Sequence, residues 1–206
     1  MLRTTSAWAV QGSSDQPAPR LTSARLANAS LVEPLLHGDG MDGLSGLYAI
    51  INAIQVAVAH NKILTAYEIH TLMRAGFDFL SGRLTPLQAF QSGCRVSVWR
   101  GLARAMVEVS RIRLGAHLRV ERLLVGDRSR AAAFEAIEQA IAQWRPVLML
   151  CRGGRYTVVS GSTPSSLLLF DSGGSRWMAK HACGAWSDNE NARHILYPGS
   201  FMALSA

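Results

Sequence analysis

A chain of 206 residues, 49% apolar and 17% charged, has the balance of a single globular domain with a real core, and that excludes a disordered chain. Its formal net charge is +7, and every basic residue except Lys62 and Lys180 is an arginine, which allows an anionic partner without requiring one. The longest apolar run, "GLYAIINAIQVAVAH", is interrupted by Tyr48, Asn52 and Gln55 and falls short of the ~18 residues that span a bilayer, so no membrane partner is expected.

The first 30 residues are rich in Ser, Thr, Ala, Pro and Arg, with Asp15 their only acid. They lack the apolar stretch of a secretory signal and read as a flexible or strapped-down tail ahead of one domain over 31–206. From Leu44, apolar residues at helical spacing (Leu47, Tyr48, Ile51, Ile54, Val58) predict a helix, with Asp42 or Ser45 as its N-cap. The turn "HGDGMDG" stands just before it; it has neither the length nor the downstream Glu of a calcium loop. A second helix is expected after Thr65, stopping at Gly76, and a short third one over "LTPLQAFQSG", with Pro86 in its first turn. Residues 96–115 predict a helix with Val98, Leu102, Met106 and Val109 on one face, and "LRVERLLV" a strand. "RSRAAAFEAIEQAIAQW" predicts an amphipathic helix, with Phe134, Ile137 and Ile141 inward and Glu135 and Glu138 outward.

Beyond Pro146 the segments "PVLMLC", "RYTVVSG", "SLLLFDS" and "SRWMAK" are short, β-favouring and separated by Gly, Pro and Ser; "HILYPGSFMALSA" predicts a final pair of strands. Helices over 31–145 followed by strands over 146–206 predict an α+β fold, a helical lobe packed on a C-terminal antiparallel sheet. Three cysteines, Cys94, Cys151 and Cys183, without C-x-x-C spacing, predict reduced thiols in a cytoplasmic setting. His60, His70, His117, His181 and His194 lack paired ligand spacing, so no metal is expected, and no motif calls for a cofactor.

"GLSGLYAIINA" puts Ser45 where a turn feeds a helix. Unpaired N–H groups and the positive dipole end at such a point stabilise a thiolate or an oxyanion. The segment resembles the one around the catalytic Cys of papain-like cysteine peptidases of the bacterial leader-peptidase type. "PVLMLCRGGRYTVVSGSTPSSLLLFDSGG" resembles their second half, where a His starts the strand and an Asp ends the next. The resemblance spans residues 35–204 and implies a papain-like fold. It puts Ser45 at the nucleophile position, Arg155 at the base position 110 residues on, and Asp171 at the acid position 16 further. His37, Asp39, Asp42, Gly46 and Tyr156 are the candidate binding residues around this frame, His37 lying eight residues before Ser45, within reach across the turn.

The departures from the family are chemical. The nucleophile is not a Cys, "HGDGMDGL" holds no Gln for an oxyanion hole, and the base position holds an arginine. Guanidinium has five donors and no acceptor, so it cannot take a proton. Arg155 is instead expected to form a bidentate ion pair with Asp171. The expected function is that of a catalytically inactive cysteine-peptidase-like protein holding a peptide or protein partner in the remnant cleft. One alternative is an active peptidase or deconjugating enzyme whose Cys is replaced by Ser45, with a base such as His37. A second is a nucleic-acid-associated protein using the Arg-rich stretch 95–130 through Arg100, Arg104 and Arg111.

Overall fold

A computed structural model describes residues 24–36, 42–85, 88, 94–123, 129–151, 154–185 and 192–206. Its first long helix, α1 (Ser45–Val58), is buried at every residue but Tyr48. A helix apolar on nearly all sides belongs inside a fold, not on its surface. α1 accordingly packs against two helices, α2 (Ala66–Ser81) and α3 (Val96–Leu114), and against the sheet. A fourth helix, α4 (Arg130–Ala142), covers part of the sheet, with Ile137 and Ile141 buried, Phe134 half-buried and Glu135 exposed.

The strands in chain order are β1 (Ala24–Arg25), β2 (Arg119–Arg122), β3 (Val147–Cys151), β4 (Arg155–Ser162), β5 (Ser166–Leu169), β6 (Trp177–Ala179), β7 (Cys183–Ala185), β8 (His194–Leu196) and β9 (Met202–Ser205). Their spatial order is β2-β9-β3-β4-β5-β6, with every pair along that path antiparallel. β1 pairs with the end of β4, and β8 extends the β3 edge beyond β9. The architecture is α+β, as the segregated patterns predict. β7 was not anticipated: it runs parallel to β8, with Cys183 opposite His194.

Three local expectations change. The N-cap of α1 is Leu44, without a side-chain cap, and Ser45 is the first helical residue, so neither Asp42 nor Ser45 caps the helix. Asp42 lies in the 3₁₀ turn Asp42–Leu44 just before. α2 starts after Thr65, which closes a capping box with Glu68, but runs through Gly76 and ends at Gly82. Of the short third helix, the reciprocal bonds between Thr85 and Gln88 show a helix-start signature; the rest falls outside the described residues.

The segment after β1 is strapped to the core. Leu26 and Ala29 are buried, and the fully buried Asn52 amide of α1 accepts from the Leu35 N–H (2.7 Å) and donates to the Leu35 carbonyl (3.2 Å).

Candidate functional site

The sheet and α1 bring the three widely separated residues of the expected site into one region. Ser45 is buried, and its Oγ accepts a hydrogen bond from the Tyr156 N–H at 3.3 Å. It therefore touches the peptide group that joins Arg155 to Tyr156. Antiparallel partners share a face, so Arg155 lies with Cys151, Met149 and Thr157, whereas Tyr156 lies on the opposite face with Leu150. Among the described residues no hydrogen bond joins the side chains of Ser45 and Arg155.

Tyr156 and Gly46 are consumed in packing. The Tyr156 ring lies 4.2 Å from that of Trp99, and the Trp99 indole N–H donates to the Gly46 carbonyl at 2.9 Å. A Cβ at position 46 would sit 3.0 Å from Trp99 and 3.2 Å from Tyr156, which is why a glycine stands there. The Tyr156 hydroxyl donates to the Cys94 carbonyl (2.5 Å), and burial pushes its pKa up. Trp99, fully buried above the helix start, was missed by the sequence reading because its apolar stripe was drawn through Val98 instead.

Arg155 meets Asp171 as expected, but through one nitrogen rather than two: Nη2 donates to Oδ2. The same Oδ2 accepts from the backbone N–H of Gly173 (3.0 Å) and of Ser175 (3.2 Å). Arg155 Nη2 also donates to Ser175 Oγ at 3.2 Å. A Cβ on residue 173 would lie 2.3 Å from Nη2, so the guanidinium could hold this position in the "DSGG" turn only with a glycine there and would have to swing aside for any other residue. Asp171 Oδ1 is buried and, among the described residues, has no partner.

Two further groups share this neighbourhood. Burial, reinforced by the cations Arg193 and Arg155, holds the His194 imidazole below its usual value. In the sequence His194 stands out only as one of several histidines without paired ligand spacing, and nothing in its local pattern marks its nearness to Arg155. Cys151, opposite Arg155 in the ladder, is a buried thiol; burial first, then Cys183, pushes its pKa up to about 12. A thiol so protonated is no nucleophile near neutral pH. His37 and Asp39 lie outside the described residues, as does the Asp42 side chain.

A cavity of about 690 Å³ opens between residues 25–36 and the β5–β6 hairpin. Arg25, Glu33, Leu168 and the exposed Trp177 line it, and it reaches Asp171 and Ser175. Of the arginines on α3, Arg111 is ion-paired with Glu108. Among the described residues no cluster of His, Cys, Asp or Glu could hold a metal, and no helix is long and apolar enough to cross a membrane. No family model and no curated protein matches the chain.

Proposed function

We propose that this chain is a catalytically inactive, papain-like cysteine-peptidase relative that binds a peptide or protein segment beside its former acid–base pair. The observation that carries this reading is the bond from the Arg155 guanidinium to the buried Asp171 carboxylate. Where a peptidase of this class needs a proton acceptor, the chain has a group that only donates, and general-base catalysis contributes about 10²–10⁴-fold to such reactions. Ser45 adds to the argument: its hydroxyl is buried and accepts a backbone hydrogen bond rather than facing a base. The cavity that ends at Asp171 and Ser175 supports binding, because it offers an extended segment both an apolar wall and charged rims.

A thiol-directed peptidyl probe tests the loss of chemistry. Ser45→Cys is expected to label no faster than free cysteine, and His194→Ala or His37→Ala added to it to change nothing. Rapid labelling of Ser45→Cys that either alanine abolishes would assign a working base and overturn the proposal.

A further inference from the structure

Arg100 and Arg104 stand one turn apart on the same face of α3. β2 adds a third arginine. Arg122 is paired across from Met202, and the next residue, Leu123, donates its N–H to the Phe201 carbonyl at 3.1 Å. Arg100 reaches the same turn from the helix side, its Nη2 donating to the Gly199 carbonyl. Arg100 thus meets the 199–202 turn from α3 and Arg122 flanks it from β2, with Arg104 one turn further along the Arg100 face of the helix. Burial, then the like charges of Arg122 and Arg104, holds Arg100 below the ordinary arginine value.

Among the described residues, the carboxylates of α3 and β2 are engaged elsewhere. Glu108 pairs with Arg111, and Glu121, on the face of β2 opposite Arg122, pairs with Arg145 at 2.9 Å. Among the described residues Arg104 and Arg122 have no carboxylate partner, and Arg100 Nε is buried without an acceptor.

We propose that Arg100, Arg104 and Arg122 form a binding site for one phosphate group, presented as free phosphate or as a small phosphate monoester. A compact dianion with several acceptor oxygens suits arginines set around one turn from a helix and a neighbouring strand. A nucleic-acid backbone calls for a stripe of such contacts, and further along α3 Arg111 is already neutralised by Glu108.

Calorimetric titration of the full chain in a low-salt chloride buffer, with inorganic phosphate and separately with phenyl phosphate, tests this. Saturable binding at a single class of site is expected. Arg104→Gln and Arg122→Gln, both at exposed positions, are each expected to weaken it by about tenfold or more, and Arg111→Gln to leave it unchanged. Tighter binding of phenyl phosphate assigns the site to a monoester, and tighter binding of inorganic phosphate to the free anion; either supports the proposal. No saturable binding, equal losses in all three variants, or binding to an oligonucleotide but to neither small phosphate overturns it.

Discussion

Asp171 is fully buried, and a carboxylate survives burial only where donors surround it. Two of its donors are backbone N–H groups of its own turn, which stay in place whatever residue stands at 155. The third comes from Arg155, whose side chain is 44% exposed, so water competes for its charge and the pair is worth less than a buried one. Asp171→Asn removes the acceptor charge and turns an amide donor toward other donors. It is expected to lower stability by about 2 kcal/mol, and Arg155→Gln by about 1 kcal/mol or less. Urea unfolding at neutral pH measures both. Equal losses would show that the ion pair, rather than the turn, holds the carboxylate. The pairing itself was legible only through the resemblance, which puts Arg155 at the base position and Asp171 at the acid position 16 residues on. The single-point geometry was not, since it depends on where the Gly173 turn lets the guanidinium enter.

At the scale of elements, periodicity and end signals located the four long helices of the described residues, and the same local reading misjudged Gly76. A glycine late in an amphipathic pattern resembles a stop signal, yet here it marks a crossing of α2 over α1. A Cβ at 76 would come within 2.2 Å of Leu47 Cδ1, and Leu47 is itself buried. Two effects oppose each other in Gly76→Ala. Helix propensity favours alanine by about 1 kcal/mol, whereas overpacking costs about 1–3 kcal/mol. The contact distance is far below van der Waals separation and Leu47 has little room to move, so overpacking wins and a net loss of about 1 kcal/mol is expected. Leu47→Ala should cost several kcal/mol alone but less in the Gly76→Ala background, because the new methyl partly fills its cavity. A double-mutant cycle in thermal or urea unfolding reads that coupling, and strict additivity would remove the crossing as its cause. β7 was missed for a related reason. "CGA" has no alternation to read, and only its pairing with β8 makes it a strand.

For the whole molecule, the pH range of stability follows from groups spread across both lobes. Burial pushes Cys94 and Cys183 up to about 11 and Cys151 to about 12, from an ordinary 9.0, and moves Tyr156 upward as well. In each case the folded chain keeps a proton that the unfolded chain gives up. The stabilisation is therefore complete below pH 9.0 and is lost as pH rises from there toward the folded values. One such group removes at most about 1.4 kcal/mol per pH unit, so three thiols together remove up to about 4 kcal/mol per unit near pH 10–11. A domain with about 5–15 kcal/mol in total cannot withstand that slope for long. His194 acts at the other end with the opposite sign. Its folded value lies below 6.5, so the unfolded chain binds the extra proton and stability falls as pH drops through 6.5. The expected profile of urea midpoint against pH, measured under reducing conditions, is a plateau bounded by these two groups, with the steeper fall on the alkaline side. Cys151→Ala separates titration from packing. It should lower the plateau, because a buried side chain is truncated, yet make the alkaline fall shallower by about a third, because one of three thiols no longer titrates. An unchanged alkaline slope in that variant would mean that the Cys151 thiol keeps its ordinary acidity and is open to water where the structure buries it.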